Sequence, residues 1–514
     1  MHTTIVGFPR IGKNRELKFL TENFLKNEID EKNFLGNITK LQEENINLLL
    51  NYIDLIPINA FSLYDNMLDI MWALGIVEKK YVDNNLSYLN KYYSIARGIK
   101  YKKIDLKAYD MKKWFDTNYH YVVPKINKNL SFDTDFFFIK RNINIAKKLT
   151  NNFKFCIIGL FTFLKLSKIE KFDKKIFYKI LLNYKKLLSK LKDENVKIIQ
   201  IEEPYLCTDI TKNDFNLFKS IYNELLKEKE NIKIFLQTYF SYVDKEILKK
   251  LFNMHFDGIG LDFVTNNENL KTICEFKFNN KILIVGLIDG RNIWISDYNN
   301  ILKTINKLKK FISIDKLYLS TSCSLLHVPY TKENENINKN LYSKLSFAKE
   351  KLKELKELKE IILKNSNFLK DKKFIKNQFK IKKFKSETCE INFKIKSLNR
   401  KFNIKKRYKL QKEILNLPIL PTTTIGSFPQ TDEIRKMRKL FKEQKISKNK
   451  YENFIKDKIK EIIKFQENIG IDVLVHGEYE RNTLEKALLE LGWQIEKKQI
   501  ILHHEKLVLI IKLI

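Results

Sequence analysis

Eight short runs of β-branched and aliphatic residues alternate with longer, Lys-rich stretches over roughly the first 326 residues of the chain. Buried parallel strands read as near-continuous apolar runs, and a helix must connect each strand to the next. Eight such units in a row predict an α/β fold that begins with an N-terminal (β/α)8 barrel of the TIM type. A doubly wound open sheet would instead need a glycine-rich turn after the first strand, and Gly7-Phe8-Pro9-Arg10 is not one. The runs are 3–7, 53–58, 155–160, 197–203, 232–240, 258–264, 282–289 and 316–324.

Polar and acidic residues stand at the carboxyl ends of five of these runs. In (β/α)8 barrels that end is where ligands bind. The alternative is that each residue merely caps the following helix, which is at least as common for any single position. Five clusters on one rim nevertheless favour a surface that faces a ligand. The clusters are Glu202-Glu203-Pro204, Gln237-Thr238-Tyr239, Asp262, Asp289-Gly290-Arg291-Asn292 and Ser322-Cys323-Ser324.

A Lys-dominated region follows the last run and extends over residues 349–413. Within 351–360, Glu and Lys recur at helical spacing, which favours an exposed helix. A nucleic-acid-binding arm is one interpretation, because Lys and Arg neutralise phosphates. Aromatic residues do not recur there at regular stacking intervals. We therefore favour a solvated, basic, helical connector between two domains, and no nucleic-acid partner.

A second unit begins after the connector, where residues 421–430 read Pro-Thr-Thr-Thr-Ile-Gly-Ser-Phe-Pro-Gln. They repeat the start of the chain: in both places a Thr-Thr strand reaches a Gly, then Phe-Pro, then a charged helix. Such an internal repeat indicates two homologous domains. The predicted organisation is an N-terminal barrel over 1–346, a connector over 347–420, the incomplete start of a second (β/α)8 barrel over 421–482, and a divergent tail over 483–514.

The composition limits the class of protein. Of 514 residues, 44% are hydrophobic and 31% charged, so the chain is globular rather than disordered. The formal net charge of +35 comes mostly from Lys spread along the whole chain with abundant Asn, Ile and Phe, a composition that an A+T-rich genome imposes on any protein. The first ten residues have no apolar signal core, and no run reaches the roughly 18 apolar residues of a membrane span. We expect no membrane partner.

The cysteines are too scattered and too few for a disulfide framework or a compact zinc knuckle. Their odd number and the lack of any Cys-x-x-Cys pair predict a reducing cytoplasm. Cys323 has no His near it in the sequence, so we interpret it as a packed thiol rather than a nucleophile. His120 is interpreted as a hydrogen-bonded rim histidine rather than an acid or base. The cysteines are Cys156, Cys207, Cys274, Cys323 and Cys389.

The two repeats and several strand-end clusters together resemble the cobalamin-independent methionine synthase family. The stretches that carry the resemblance are 7–18, 113–121, 200–204, 290–292, 322–327, 421–430 and 472–482. Members of that family join two (β/α)8 barrels and move a methyl group from 5-methyltetrahydropteroyltriglutamate to homocysteine, which gives methionine. The resemblance thus implies a typically monomeric S-methyltransferase of methionine biosynthesis that acts on small molecules without cobalamin.

The resemblance assigns the folate tail to Asn14, Arg15, Glu16, Leu17 and Lys113. A triglutamate is a polyanion, so Arg15 near a helix start and Lys113 on another segment can hold it through charge-assisted hydrogen bonds. Asn14 replaces one of the family's usual arginines, which predicts weaker binding of the tail.

Homocysteine binding is assigned in the same way to Ile425, Gly426, Ser427 and Glu478. Glycine permits a ligand to approach the chain closely, and Ser427 can offer hydroxyl and amide hydrogen bonds to a carboxylate. Glu478, at the end of the apolar run 473–475, matches the carboxylate that takes the ammonium group.

Zinc is the cofactor that the resemblance implies, since family members bind the homocysteine sulfur to a zinc ion held by one His, two Cys and one Glu of the second barrel. The last cysteine here is Cys389, inside the connector, so neither metal ligands nor catalytic residues can be assigned. The match ends near Asn482, and adjacent His503 and His504 in the tail make a poor metal pair. We expect a chain that is truncated within the second barrel and inactive alone, unless a complementing fragment supplies the zinc half. The alternative is a residual barrel that binds folate polyglutamates, or the product of a pseudogene.

Overall fold

The structure, a computed structural model, describes residues 1–171, 173–276, 281–335, 337–364, 368–387, 400 and 402–480. The chain divides into two compact units, Met1–Cys389 and Glu390–Ile514. The predicted domain boundaries at 346, 420 and 482 stay predictions. The predicted tail over 483–514, with His503 and His504, lies outside the described residues, as does Cys389.

The first unit is built on one sheet of eight parallel strands. They are β1 (His2–Thr3), β2 (Ile56–Ile58), β3 (Phe153–Ile158), β4 (Ile198–Glu202), β5 (Lys233–Gln237), β6 (Gly258–Asp262), β7 (Ile282–Ile288) and β8 (Leu317–Thr321). Each overlaps one of the eight predicted runs. The spatial order is β1-β8-β7-β6-β5-β4-β3-β2, and every neighbouring pair is parallel.

Thr4 closes this sheet into a barrel. It continues β1 and forms a parallel bridge with Leu55, the residue just before β2, and its hydroxyl donates to the Leu55 carbonyl at 2.8 Å. One residue earlier, the amide and the hydroxyl of Thr3 both donate to Asp54 Oδ2, at 2.7 and 2.8 Å. The two outer strands of the sheet therefore pair with each other, and the predicted (β/α)8 barrel is confirmed.

Helices connect the strands of the barrel. Those of the first unit are α1 (Glu16–Leu25), α2 (Glu31–Leu50), α3 (Asn66–Ala73), α4 (Lys79–Val82), α5 (Tyr88–Arg97), α6 (Phe137–Leu149), α7 (Leu160–Leu166), α8 (Lys174–Asp193), α9 (Lys212–Leu225), α10 (Lys245–Phe252), α11 (Glu268–Glu275), α12 (Tyr298–Leu308), α13 (Lys339–Lys344), α14 (Ala348–Leu363) and α15 (Lys372–Glu387). Helix α8 illustrates their packing, because Ile180, Tyr184 and Leu187 recur at helical spacing and are buried. Short 3-10 helices span Pro204–Cys207, Leu226–Glu228, Ile314–Lys316, Leu325–His327, Lys332–Asn334 and Phe368–Lys370.

Three small ladders stand apart from the barrel sheet. Two are antiparallel hairpins and one is a parallel pair. One hairpin, residues 111–122, is called the mouth hairpin below. The paired strands are Ile99–Tyr101 with Ile104–Leu106, Met111–Lys113 with His120–Val122, and Lys125–Ile126 with Lys168–Ile169.

Helix α14 covers the stretch for which we expected a solvated connector helix, and that expectation is wrong. Leu352, Leu355 and Leu358 are at most 1% exposed and belong to the core of the barrel unit. Lys359 Nζ lies 2.5 Å from Asp54 Oδ1, beside β2. A leucine at every third position makes one apolar stripe along the helix, which the alternating Lys and Glu conceal in the sequence. Helix α14 therefore packs on the barrel after β8 and completes the eighth strand–helix unit.

The side chains that fill the interior of the barrel change from aromatic to polar along its axis. Phe235 of β5 meets Tyr318 of β8, two strands that are not neighbours, with ring centroids 6.2 Å apart. Because side chains on a strand alternate between its two faces, Gln237 and Ser320, two residues further on, also face inward. The interior thus passes from aromatic to polar towards the carboxyl ends of the strands.

The second unit repeats the opening of a (β/α)8 barrel. Two extended segments pair in parallel, with bridges from Thr423 to Val473 and from Ser427 to Gly477. Two helices connect them, and their core contains Ile434. The helices of this unit are α16 (Ile404–Leu415), α17 (Asp432–Lys442) and α18 (Lys448–Asn468).

Several smaller expectations can be compared with the structure. Cys156, Cys207, Cys274 and Cys323 are free thiols. Burial raises the pKa of the Cys323 thiol, which agrees with a packed residue rather than a nucleophile. His120 Nδ1 lies 3.0 Å from the carbonyl oxygen of Asn118, as expected of a hydrogen-bonded rim histidine. Among the helices that the structure describes, none is long and apolar enough to cross a membrane.

Candidate functional site at the mouth of the barrel and in the second unit

The mouth hairpin lies over the carboxyl end of the barrel. Tyr121 donates its hydroxyl to the carbonyl of Leu166, beyond β3, at 3.0 Å. The ring of Tyr119 contacts His327, which follows β8, with centroids 6.4 Å apart. The guanidinium of Arg10, which follows β1, lies 5.7 Å from the centroid of the Tyr119 ring. The hairpin therefore contacts segments that follow three different strands and roofs the barrel.

A salt bridge fixes the tip of this hairpin. Asp116 Oδ2 lies 3.0 Å from Arg291 Nη2, in the loop after β7. The Arg291 guanidinium also lies 5.1 Å from the centroid of the Phe240 ring, and Phe240 packs on Phe115 of the hairpin. Phe115 has a φ of 52°, in the left-handed region that a bulky residue adopts only when its surroundings hold it there. The tip is thus a tight turn held by charge and by ring contacts.

A small cavity of about 40 Å³, the mouth cavity, lies beneath the hairpin. A water molecule needs roughly 10–15 Å³ of such cavity volume, so the space suits a few waters or one small ion. Its walls include the rings of Trp114, Tyr119, Tyr121 and Tyr239 and the carboxyl groups of Asp65 and Glu202.

Glu202 connects the mouth cavity to the polar interior of the barrel. Its Oε2 accepts from the Tyr239 hydroxyl at 2.9 Å, and its Oε1 accepts from Gln200 Nε2 at 3.0 Å. Gln200 in turn accepts from the ammonium of Lys154, which is completely buried. Burial raises the pKa of Glu202 to about 7, against the opposing effect of its two hydrogen bonds, and lowers the pKa of Lys154 to about 8.

Two more carboxyl groups lie on this side of the barrel. Asp65 caps α3 by accepting from two backbone amides, and its Oδ2 accepts from the Val122 amide at 3.1 Å. Asp69 accepts from the Tyr92 hydroxyl at 2.6 Å. Burial raises the pKa of Asp65 to about 7 and that of Asp69 to about 6. Arg10 is the cation that acts electrostatically on both.

Other acids of the predicted rim serve local structure. Glu203 accepts from two backbone amides at the start of α7, at 3.0 and 2.7 Å. Asp262 accepts from two amides in the loop after β6, and Asp289 does the same after β7. These three residues thus satisfy backbone amides, but none of them caps the helix that follows its own strand, because the next helices α11 and α12 begin after Asn267 and Asp297. Glu202 and Tyr239 instead face the mouth cavity.

The residues that the resemblance assigns to the folate tail lie mostly at the start of α1. Arg15 is the N-cap residue and is exposed, with a φ of 66°. The backbone and side-chain amides of Asn14 donate to the Glu16 carboxylate at 2.9 and 3.1 Å. Leu17 is buried in the core, so only its backbone can reach a ligand. Lys113 is exposed in another segment, the mouth hairpin.

The residues assigned to homocysteine lie together in the second unit. Gly426 has a φ of 118°, which favours glycine, and a Cβ built there would lie 3.5 Å from Glu478 Oε1. The Glu478 carboxylate thus stands over this glycine. Ser427 pairs with Gly477 across the two segments, and the side chain of Ile425 is fully exposed. The structure therefore brings the glycine, the serine and the carboxylate to one end of the strand pair.

The same hydrogen bonds anchor the first strand pair in both units. The amide and the hydroxyl of Thr422 both donate to Asp472 Oδ2, at 2.7 and 2.8 Å. Thr3 and Asp54 make these two bonds at the same distances. The internal repeat seen in the sequence is thus present in three dimensions.

Counting from these anchors gives the corresponding positions of the two units. Gly426 corresponds to Gly7, and Glu478 corresponds to Ala60. A Cβ on Gly7 would lie 3.5 Å from Ala60 Cβ, just as one on Gly426 would lie 3.5 Å from Glu478 Oε1. Gly7 and Ala60 both line the mouth cavity. The first barrel therefore has an alanine where the second unit has its carboxylate.

The zinc site that the resemblance implies does not fit the residues present. Among the described residues, no three His, Cys, Asp or Glu side chains are grouped so that they could hold a metal. His476 Nδ1 accepts from the Glu478 amide at 3.0 Å and lies 3.7 Å from Glu480 Oε2. Residues 421–480 contain no cysteine, so this cluster lacks the thiolates that the family's zinc site requires.

The sequence matches two family models, one for each unit. Residues 2–313, which contain β1 to β7, match the family described as the cobalamin-independent synthase, N-terminal domain. The chain belongs to the cobalamin-independent synthase family. Residues 420–494 match the catalytic domain of the same family, and this match includes Gly426 and Glu478. The family is described as cobalamin-independent, in agreement with the expectation that no cobalamin takes part.

Curated relatives match this chain over most of its length. A 5-methyltetrahydropteroyltriglutamate–homocysteine methyltransferase of Campylobacter jejuni strain 81-176 is 42% identical over 496 residues, which are 94% of this chain and 65% of the relative. A protein of the same name from Lactococcus lactis strain IL1403 is 40% identical, over 94% of this chain and 64% of the relative. The chain thus spans just under two thirds of the length of these relatives.

Solved structures of low sequence identity are also similar to this chain. A putative vitamin-B12 independent methionine synthase from Listeria monocytogenes is 16% identical with a TM-score of 0.48, over 70% of this chain and 98% of that chain. A B12-independent methionine synthase from Shewanella is 16% identical with a TM-score of 0.46, over 70% of this chain and 97% of that chain. The barrel of the first unit is established by its own strand order.

Of the cavity wall, the strand-end pattern singled out Glu202, Tyr239 and Ser324, and the resemblance included the stretch 113–121, but neither gave Asp65 or the position of Trp114. Asp65 lies in the loop after β2, and Trp114 lies in a hairpin inserted before β3, so neither stands at the end of an apolar run. An Asp directly before an apolar helical stretch is an N-cap signal, and it would have located Asp65. The long-range contact between Asp116 and Arg291 has no local signal.

Proposed function

We propose that this chain holds the two substrates of a methyl transfer from 5-methyltetrahydropteroyltriglutamate to homocysteine, the reaction for which its relatives from Campylobacter jejuni and Lactococcus lactis are named. The observation that carries the proposal is the position of the Glu478 carboxylate over Gly426, within the stretch that matches the catalytic domain of the family. We place the reaction in the cytoplasm, in keeping with the scattered, free cysteines.

Homocysteine presents an ammonium group, a carboxylate and a thiol. The Glu478 carboxylate is a partner for the ammonium group, and the hydroxyl and amide of Ser427 are donors for the carboxylate. Gly426 lets the backbone of the amino acid approach, because it has no Cβ. These three residues are therefore proposed to hold the backbone of homocysteine and to leave its thiol pointing away.

The folate tail is proposed to lie along the start of α1. Arg15 is exposed there, and the amino-terminal end of a helix favours anions. The hydrogen bonds from Asn14 engage the nearby Glu16 carboxylate, which reduces its repulsion of an anionic ligand. Lys113 supplies a second cation from the mouth hairpin. With Asn14 in place of an arginine, we expect the tail to bind less tightly than in the family at large.

A polypeptide of this sequence is proposed to bind these substrates without transferring the methyl group. A free thiol with a pKa near 8.5 is mostly protonated at neutral pH, and the described residues include no group of side chains that could hold a zinc ion to ionise it. A complementing polypeptide is proposed to supply the missing ligands. Ile419, Leu420 and Ile425 are at least 87% exposed, and they provide apolar surface that such a partner would cover.

Calorimetry on the full chain at low salt tests the folate site. We expect the triglutamate form of methyltetrahydrofolate to bind more tightly than the monoglutamate, and Arg15→Ala and Lys113→Ala each to weaken it about tenfold. Lys26→Ala, at the other end of α1, is the matched control and should leave binding unchanged. Equal affinity for the two folates, or an equal loss in the control, would contradict this site.

An activity assay tests the second part of the proposal independently. The full chain with methyltetrahydrofolate triglutamate, homocysteine and zinc should form no methionine. Adding a polypeptide that covers the remaining third of a relative should restore formation. Zinc-dependent turnover by this chain alone would show that the proposed inactivity is wrong while leaving the binding sites intact.

A further inference from the structure

We propose that the mouth cavity binds one small ammonium ion, either ammonium itself or a one-carbon amine, between the rings of Trp114, Tyr119 and Tyr239 and the Glu202 carboxylate. This inference does not depend on the methyl transfer proposed above. It concerns the first barrel, whereas the proposed homocysteine site lies in the second unit.

The size of the cavity sets the size of the ligand. A space of about 40 Å³ accepts an ion of one or two heavy atoms and excludes amino acids and nucleotides. The roof is held over the cavity by the Asp116–Arg291 pair, by the hydrogen bond from Tyr121 to Leu166 and by the contact of Phe115 with Phe240. Tyr119 and His327 are wall residues that are only partly buried, and they give a small ion a route from solvent.

Among the described residues, the carboxyl groups near the cavity outnumber the cations that act on them by one. The carboxyl groups of Asp65, Asp69 and Glu202 face two cations, Arg10 and Lys154. The surrounding tyrosines stay neutral because burial raises their pKa. His327 is neutral as well, since burial lowers its pKa to about 4. An unpaired buried charge is costly, so either a proton or a bound cation must compensate it.

The lining favours an ammonium ion over an alkali metal ion. Aromatic faces attract cations through their quadrupoles, and three of the four aromatic walls are tyrosine rings. An ammonium group also has N–H donors. Each oxygen of Glu202 accepts one hydrogen bond within the protein, and a carboxylate oxygen can accept two, so both retain capacity for a donor in the cavity.

The position of the cavity supports the same conclusion. Gly7 and Ala60 of its wall correspond to Gly426 and Glu478, which are proposed to hold the ammonium group of homocysteine. In the first barrel Ala60 takes the position of Glu478, and the carboxyl groups on the cavity wall come from Asp65 and Glu202 instead.

Thermal unfolding of the full chain tests the proposal. At pH 8 and equal ionic strength, about 100 mM methylammonium or ammonium chloride should raise the unfolding midpoint of the barrel by at least ~1 °C relative to sodium chloride. The shift should shrink at pH 6, because protons then compete for the carboxyl groups. Comparing the two salts identifies which ion fits better. An equal shift in potassium chloride would overturn the preference for ammonium, and no shift in either ammonium salt would overturn the site.

Two variants locate the effect by independent means. Glu202→Gln removes the charge, and Ala60→Leu fills the cavity without changing any charge. Each should abolish the difference between methylammonium and sodium. Glu246→Gln, an exposed acid on α10, is the matched control and should retain it. If Glu202→Gln fails to fold, the Ala60→Leu variant alone tests the location of the site. A difference in unfolding midpoint between methylammonium and sodium that persists in Ala60→Leu would overturn the proposed location.

Discussion

Asp116 and Arg291 are 175 residues apart in the sequence, and their side chains meet at 3.0 Å above the mouth of the first barrel. Asp116 is 70% exposed, so this salt bridge contributes at most about 1 kcal/mol to stability. The salt bridge matters because it holds the mouth hairpin in place. That hairpin covers the mouth cavity and contains Lys113.

Asp116→Asn should loosen the hairpin without unfolding the barrel. We expect faster amide hydrogen exchange over residues 114–119 and a change in the unfolding midpoint of less than ~2 °C. Asp105→Asn is a matched control, since Asp105 pairs with Lys100 in the neighbouring hairpin. If exchange over 114–119 is unchanged, the salt bridge does not hold the tip.

Leu352→Ala should destabilise the first unit by about 2–5 kcal/mol, because it removes a fully buried side chain from the stripe of α14 that packs in the core. Lys353→Ala, one residue further along the same helix, is exposed and should change stability by less than ~0.5 kcal/mol. Chemical denaturation measures both. If both substitutions changed the stability by the same small amount, α14 would be a solvated connector rather than part of the core.

Asp54 should make the barrel sensitive to acid. Burial alone would raise its pKa, but hydrogen bonds from Lys359 and Thr3 outweigh burial and hold the pKa below its ordinary value. A carboxylate with a lowered pKa stabilises the folded state above the unfolded pKa of about 4, and this contribution is lost as the pH falls. Asp54→Asn should therefore cost ~1–3 kcal/mol at pH 7 and much less near pH 3. Denaturation of both proteins across this range measures the difference, and a parallel pH dependence would contradict it.

Glu202 should have the opposite effect on the pH dependence of stability. Burial raises the pKa of Glu202 to about 7 in the folded protein. Between about pH 4 and pH 7 the unfolded chain has already lost the Glu202 proton while the folded protein keeps it, so the stability of the wild type falls as the pH rises through this range. Glu202→Gln cannot ionise. In sodium buffers, its stability relative to wild type should therefore increase by ~2 kcal/mol between pH 5 and pH 8. A constant difference across that interval would show that Glu202 ionises normally.

The barrel could be predicted from the sequence because buried parallel strands leave an unambiguous pattern. The run 282–289 has no charged residue before Asp289 at its end, and each of the eight runs overlaps a strand. Helix α14 was misjudged for a physical reason: Leu352, Leu355 and Leu358 form a narrow stripe within a sequence dominated by Lys and Glu. Both residues between one of these leucines and the next are charged, so the composition of the segment indicates an exposed helix although the spacing of its leucines indicates a buried face.

The site in the second unit could be predicted from the sequence more fully than the mouth cavity of the first barrel. Gly426 and Glu478 were paired through a resemblance, and they do lie together. The rim position of Glu202 and Tyr239 could be anticipated, since they lie at the carboxyl ends of neighbouring strands. The cavity itself could not, because Trp114 reaches them on a hairpin whose docking depends on contacts distant in sequence. Local patterns carry no information on such contacts.

The repeated anchor between Thr and Asp also has a consequence for the order in which the chain acquires structure. In the second unit, Thr422 and Asp472 join two strands that are connected by two helices. The equivalent pair, Thr3 and Asp54, needs only the first 54 residues to have left the ribosome. The register of the first two strands can therefore be set during synthesis, long before β8 emerges to close the ring.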